Sequence, residues 1–486
     1  MAENEKRSYP PRRRHRAKRR KLNPGFFVFW IVVALLVGLI VAAFGGLIRS
    51  CMEQPPEETS GGPIQSTRPT HSQSQQVAPS TAAPMEETTV PTEPPVVLTG
   101  MATISATGDV LMHMPCVRPG LVGNGVYDFT PYFSHVQSYI ERADVAIANL
   151  ETTLAGGDYV HFDGEVGYRG YPTFNCPDGI VDSLKDVGFD LILTANNHTY
   201  DTGSAGFFRT QQVIGEAGLE HIGTKPSDDV PDYIVKEIDG IRVGMVCYTY
   251  ETNADPDKVS LNGGSPLKAD EKGLINVFLK DDVAGFTRDL GEDIEDMRAD
   301  GAEAIVLYIH WGEEYQLKQN KQQEAMAQAA CDLGVDVIVG GHPHVIQPID
   351  LLTSQEDPEH KTVCLYSTGN AVSNQRLGNI SYVKTAHTED GILFSFSFAK
   401  YSDGTVRVED VEALPLWVDM HSRTGKTVYD ILPLDKNIQD WRTALELTSG
   451  ALAKAEDSYD RTMAIVGEGL EEVRAYLDSL PDVAEQ

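Results

Sequence analysis

At 486 residues and 41% hydrophobic content the chain can bury a substantial core, which excludes a wholly disordered protein and leaves room for one large α/β domain with appendages. A net charge of −31 argues against nucleic acid and against anionic lipid as partners of the acidic bulk of the sequence. The six cysteines form no Cys-x-x-Cys pair.

The first 25 residues run against that acidity. Lys6, Arg7, Arg12, Arg13, Arg14, Arg16, Lys18, Arg19, Arg20 and Lys21 face only Glu3 and Glu5. The next stretch, Phe26 to Ile48, carries no charge and is long enough to cross a bilayer as a helix. A basic flank beside an apolar span sets topology, so residues 26–48 are expected to be a single-pass cell-membrane anchor with the N-terminus cytoplasmic and the rest extracytoplasmic. A cleaved signal peptide is the rival, but its apolar run would be shorter and would end in small residues. Cys51 suggests a lipoprotein, yet Arg49 stands where a lipobox takes a small or apolar side chain. Residues 49–97 are rich in Pro, Ser, Thr, Gln and Glu without apolar periodicity, and read as a disordered stalk.

From Leu98 apolar runs alternate with amphipathic stretches. Strands are expected at Ala102–Ala106, Val145–Asn149, Leu191–Ala195, Val243–Tyr248, Ala304–Ile309, Val335–Val339 and Val363–Ser367. Helices are expected at Tyr132–Arg142, Pro177–Val187, Ala205–Ala217, Asp282–Asp300 and Lys318–Leu333. That alternation predicts a layered α/β domain over residues 98–420, since parallel strands need crossover connections. Gly391–Ala399 and Thr405–Leu414 have no helix between them and predict antiparallel members. Glu251–Lys280 reads as a long excursion near the site. Residues 421–486 are expected to form an acidic helical segment, helical from Tyr429 onward.

The strand ends carry the chemistry. The first ends in Ala-Thr-Gly-Asp with His113 four residues beyond; Asp109 serves equally as a ligand or as a helix cap. The second ends in Asn-Leu-Glu, which puts Asn149 and Glu151 on one face, Glu151 able to bridge two ions or to lie at the surface and Asn149 better suited to tying loop backbone. The third ends in Asn196, Asn197, His198 and Asp201, four polar groups whose burial without partners would cost a few kcal/mol each. Asn197 offers a neutral oxygen, and His198 is placed to donate a proton. Asp201 either orients His198 or caps the next helix. His310 ends a later strand, and His342 and His344 flank Pro343 after another. Glu314 is a candidate to hold a ligand histidine, and Asn370 a candidate substrate contact. Tyr248, Tyr250, Trp311 and Tyr315 either wall a cleft or fill core. His135, His161, His221, His360, His387 and His421 read as surface or loop residues. Cys247, Cys331 and Cys364 read as core, and Cys116 and Cys176 leave a disulfide open.

Taken in order, Gly108-Asp109, Asn197-His198, His310 and Gly341 to His344 resemble the CapA-type poly-γ-glutamate capsule biosynthesis proteins, a branch of the calcineurin-like metallophosphoesterase superfamily. The resemblance covers about residues 100–415. It implies a four-layer sandwich of two mixed β-sheets flanked by helices. Two departures stand out: Leu111 occupies the position where the superfamily usually has a histidine, and Ala148–Glu151 replaces its Gly-Asp-x-x-Asp motif.

The resulting expectation is a metal-dependent, metallophosphoesterase-like hydrolase serving synthesis or export of poly-γ-glutamate or a related surface polymer. Asp109, Glu151, Asn197, His310, His342 and His344 would hold one or two divalent ions, Mn, Zn or Fe by the chemistry of the donors. His198 and Asp201 would be catalytic, and Asn149, Asn196, Glu314 and Asn370 would meet an anionic polymer or phosphoester substrate. Capsule synthase or export subunits are the expected protein partners. The alternative is a noncatalytic export or tethering subunit whose ion is structural or binds polymer.

Overall fold

A computed structural model of the protein describes residues 95–252, 260–262, 267–435, 442–443 and 447–481. The basic leader, the apolar stretch Phe26 to Ile48 and nearly all of the expected stalk, with Cys51, lie outside them. Among the described residues no helix is long and apolar enough to cross a membrane.

The strands are β1 (Leu98–Val110), β2 (Leu121–Gly123), β3 (Val126–Tyr127), β4 (Val145–Leu150), β5 (Leu191–Leu193), β6 (Glu220–Ile222), β7 (Tyr233–Ile238), β8 (Ile241–Glu251) and β9 (Val277–Leu279). Next come β10 (Ala304–His310), β11 (Val337–Gly341), β12 (Ile349–Thr353), β13 (Lys361–Leu365), β14 (Asn370–Val372), β15 (Asp390–Tyr401), β16 (Val406–Arg423) and β17 (Lys426–Pro433). The longer helices are α1 (Gly179–Asp186), α2 (Gly203–Glu216), α3 (Val283–Ala299), α4 (Lys321–Asp332) and α5 (Ser449–Ser479).

One mixed sheet has the order β17-β16-β15-β1-β4-β5-β6, with β14 alongside β1. The other has the order β12-β13-β11-β10-β8-β7, with β9 alongside β8. The strands nearest the site are parallel and buried on both faces, which is why β4 and β10 read as unbroken apolar runs. The inner faces meet in one apolar layer through Ile104, Ala106 and Ile147 on one side and Met245, Val306 and Val339 on the other. The outer face of the first sheet is covered by Phe133, Ile140, Ile180 and Leu184, that of the second by Phe286 and Leu290 of α3 and Met326 and Ala330 of α4. The expected arrangement of two mixed sheets between helical layers is therefore present.

Two expectations fail, one of them in part. Tyr132–Arg142 is not one helix but two four-residue turns, Thr130–Phe133 and Gln137–Ile140, between which Val136 N–H bonds Phe133 and Tyr139 N–H bonds Val136 at three-residue spacing. The expected helix from Tyr429 onward is present as Ser449–Ser479, but Tyr429 to Pro433 is strand. Tyr429 and Ile431 point into one apolar layer and Leu432 into another, the period-two alternation that makes β17 an edge strand on β16.

Helix α5 begins where Thr448 accepts from Ala451 N–H and sends Val466, Leu470 and Val473 into the layer between the sheets. A Cβ on Gly469 would lie 1.8 Å from Ile349 O, so only glycine lets the helix approach β12 this closely. Arg461 grips the buried Asp390 with Nε at 2.9 Å and Nη2 at 2.7 Å.

Candidate metal centre

The register of β1 on β4 slips at Gly108, so that Asp109 stands opposite Asn149. Asp109 also pairs with Asn370 on β14. A side chain at Gly108 would collide with Gly369 O, its Cβ only 2.0 Å away, so the glycine is what lets β14 close over the end of β1. On the opposite sheet β10 delivers His310 beside Gly341 at the end of β11. The chain then turns through His342 at φ +96° and His344 at φ +55°, conformations that L side chains adopt at a cost and that here aim both rings at the gap between the sheets.

The result is a buried cluster assembled from both sheets. Each Glu151 oxygen faces a histidine: Oε1 lies 3.6 Å from His310 Nε2 and 3.9 Å from His198 Nε2, while Oε2 lies 3.8 Å from His344 Nδ1. Two ligand groups share this carboxylate, Glu151 with His310 and His342, and Asp109 with Glu151 and His344, each with its donor atoms within 4.8 Å of one another.

Surrounding groups fix the donors. Asn149 Nδ2 donates to Asp109 Oδ1 at 2.7 Å and its own oxygen accepts from Asn196 at 3.1 Å. Asn196 also donates to Leu150 O and accepts from His198 N–H. His344 Nδ1–H lies 3.2 Å from both Asp109 Oδ2 and Asn370 Oδ1. His310 Nε2–H donates to Asn197 Oδ1 at 2.8 Å. His198 Nδ1–H donates to Asp201 Oδ2 at 2.7 Å, and the Tyr250 hydroxyl sits 3.3 Å from His342 Nε2.

Electrostatics separate the imidazoles. Burial opposes the charge on His344, but Glu151 and Asp109 outweigh it and raise its pKa to about 9. His342 is held well below the usual range by burial and by the neighbouring His310 and His344. Burial likewise opposes protonation of His198, yet the Asp201 carboxylate and then Glu151 raise its pKa. Burial also opposes ionisation of Asp109; the hydrogen bond from His344 and the charges of His310 and His344 still bring its pKa below the ordinary carboxylate value.

Whether these residues suit a cation is tested by what they leave unpaired. Glu151 is fully buried with neither oxygen hydrogen-bonded, and His342 Nδ1 is buried without a partner. Such groups cost free energy unless something else satisfies them. A mixed imidazole and carboxylate set with orphaned lone pairs fits a divalent transition-metal ion.

The predicted residues converge with one exception. Glu314 lies exposed beyond Gly312, where a φ of +86° carries the chain out of the cluster, and no ligand histidine bonds it. The expected substrate contacts also take another part in the geometry. The amides of Asn149, Asn196 and Asn370 are committed to protein partners, Asn370 Nδ2 to His344 O, Gln375 and Thr388 O. His113 belongs to neither ligand group; it is buried with Nε2 unpaired, and burial lowers its pKa to about 4. His161, expected at the surface or in a loop, lies in a loop but is buried, its Nε2 2.9 Å from Gly167 O. Cys116 and Cys176 are both free and buried. Sequence reasoning missed Phe174, whose ring meets His198 edge-on at 4.7 Å, and Asn262, whose amide lies 3.3 Å from His198 Nδ1. The excursion was legible, but nothing in its composition singled out Asn262.

The profile of the family described as "Bacterial capsule synthesis protein PGA_cap" matches residues 103–375, from β1 to just past β14. The chain is similar to the capsule biosynthesis protein CapA of Bacillus anthracis, at 28% identity over 284 residues, 56% of this chain and 60% of that protein. It is similar to the PGA biosynthesis protein CapA of Bacillus subtilis (strain 168), at 28% identity over 311 residues, 63% of this chain and 72% of the relative. A protein of Mycobacterium tuberculosis named for polyglutamine synthesis accessory function is 25% identical over 213 residues, 43% of this chain and 52% of its own length. Thus the chain spans only three fifths of the first relative's length.

Proposed function

The chain belongs to the bacterial capsule synthesis protein family, and from that premise we propose that it is a metal-dependent hydrolase acting in the synthesis or export of a capsule or related surface polymer. The observation that carries this reading is Glu151, a fully buried carboxylate with no hydrogen bond to either oxygen, shared by two groups of ligand-type side chains.

In this reading Asp109, Glu151, Asn197, His310, His342 and His344 hold one or two divalent cations. Bound there, such cations supply a Lewis acid for a phosphoryl or acyl oxygen and ease the ionisation of water. The protein's own part is to position and to move a proton. His198, held by Asp201, whose charge raises its pKa against burial, donates from Nε2 to the leaving oxygen or nitrogen. Asn149 and Asn370 keep Asp109 and His344 in register through their hydrogen bonds to those two side chains. The proposal includes attachment to the cell membrane through Phe26 to Ile48, with the sandwich on the outer side.

The test is direct. The purified full chain is assayed for bound metal by elemental analysis, then for cleavage of bis(p-nitrophenyl) phosphate and of γ-glutamyl amides with and without chelator. Chelator-sensitive turnover supports the proposal. Metal without turnover on either substrate class would favour a tethering subunit instead.

A further inference from the structure

His342 holds a backbone conformation, φ +96°, that a residue with a side chain keeps only where its surroundings fix it. The neighbour that fixes the imidazole is Tyr250. It stands near the end of β8, one residue beyond Thr249, which pairs with His310 across the sheet. The buried Tyr250 ring meets His342 at a steep angle with centroids 4.8 Å apart and lies parallel to His310 at 6.4 Å. Lys280 Nζ sits 5.6 Å from the centre of the same ring, within cation–π reach, and is itself held by Glu313 at 2.5 Å. The tyrosine is thus gripped from the metal-type cluster on one side and from the rim on another.

The two ring nitrogens of His342 have different surroundings. Nε2 faces the Tyr250 hydroxyl at 3.3 Å, whereas Nδ1 is buried with no hydrogen-bond partner. A neutral imidazole carries one N–H and one lone pair, and a phenol oxygen can accept as well as donate. With the proton on Nε2 and Tyr250 accepting it, Nδ1 keeps a bare lone pair for the group that His342 forms with Glu151 and His310. The opposite tautomer would bury an N–H with nothing to receive it. Histidines that hold metals commonly give their other nitrogen to a carboxylate, a carbonyl or water, and that partner orients the ring and fixes its tautomer.

We infer that Tyr250 is a positioning residue for the metal centre: its hydroxyl takes the Nε2–H of His342 and so commits Nδ1 to the cation. The inference rests on the metal-binding part of the hydrolase reading and not on turnover. His344, in the other ligand group, is braced instead by Asp109 and Asn370. Removing the Tyr250 hydroxyl should therefore touch only the ion that His342 helps to hold.

The test titrates Co2+ into the metal-free full chain and follows its visible absorption. The bands that disappear in His342→Ala identify the ion concerned. Tyr250→Phe keeps the ring and removes the hydroxyl, and is expected to weaken that ion about 10–100-fold, as loss of a partner behind a ligand histidine does. A tyrosine that merely fills core would leave Co2+ affinity unchanged, and that result overturns the inference. A second readout needs no substitution at Tyr250. Long-range 1H–15N spectra of metal-free wild type, with the His342 signals assigned by their loss in His342→Ala, should place the proton on Nε2; a proton on Nδ1 would overturn the inference. The two readings fail separately. The expected weakening in Tyr250→Phe, found in a protein that cleaves neither substrate class, supports this inference and removes the hydrolase reading, whereas wild type that binds no Co2+ removes both.

Discussion

His198 donates Nδ1–H to Asp201 Oδ2 across 2.7 Å, and the same oxygen takes the backbone N–H of Phe174 at 2.6 Å. The carboxylate is thus fixed from two directions, and the imidazole it holds keeps a raised pKa despite its burial. Replacing Asp201 with Asn removes the charge and keeps the shape. The folded pKa of His198 should then fall, so the alkaline limb of the pH–rate profile, where His198 loses its proton, should move to lower pH. A stopped-pH series on wild type and Asp201→Asn checks this, and an unmoved limb would assign the proton donor elsewhere.

His198 and His342 should separate chemistry from metal retention. His198→Ala is expected to lower kcat by about 10²–10⁴ while metal content stays at the wild-type level. His342→Ala should lose metal as well as turnover. Equal metal loss in the two variants would move His198 into the ligand set.

Glu151 is predicted to trade stability for metal binding. In metal-free protein its two buried oxygens accept no hydrogen bond, a desolvation cost of about 1–3 kcal/mol that the histidines 3.6–3.9 Å away offset only in part. Glu151→Gln removes the charge without changing the volume, so the metal-free variant should melt a few degrees higher than metal-free wild type. It should gain nothing on addition of Mn2+, where wild type should rise. Differential scanning fluorimetry with and without metal reads both effects.

Arg461 anchors α5 through Asp390, whose side chain is 1% exposed. Arg461→Ala leaves a buried carboxylate without its counter-charge and should cost about 3–5 kcal/mol. The double variant Arg461→Met with Asp390→Asn should recover much of that loss. Urea denaturation gives the magnitude, and protease cutting within residues 449–479 reports undocking of the helix.

Asp293 should make stability fall as pH rises. Burial, with the charges of Asp232, Asp296 and Asp289, lifts its pKa from 3.8 to about 6, although the Tyr248 hydroxyl bonds it. Between those values the folded state keeps a proton that the unfolded state has lost, so this contribution is present at low pH and disappears as pH passes the folded pKa. Asp293→Asn should flatten that part of the curve, measured as the urea midpoint at successive pH values.

The strand ends were the legible part of the site because a buried parallel strand announces itself as an apolar run, and polar groups at its carboxyl end have few places to go. Leu191 to Leu193 leading into Asn-Asn-His, and Val337 to Val339 leading into Gly-Gly-His, were readable for that reason. Which polar residues would face the cluster as donors and which would brace it was not readable. Asn149, Asn196 and Asn370 look like contacts for a ligand until the positions of Asp109, Leu150 O and Thr388 O are known. The edge strand β17 was hidden because the acidic, helix-forming residues C-terminal to it dominate the local pattern. Its pairing with β16 is set by a tertiary neighbour rather than by local propensity.

Ownership of the cluster is divided between the two sheets. Asp109, Glu151 and Asn197 come from the ends of β1, β4 and β5, whereas His310, His342 and His344 come from the ends of β10 and β11. A cation bound among them would therefore rivet one half of the sandwich to the other. Its affinity would gauge their alignment: any substitution that slides the halves by a fraction of an ångström, however remote, would register first as weakened ion retention and only afterwards as lost folding.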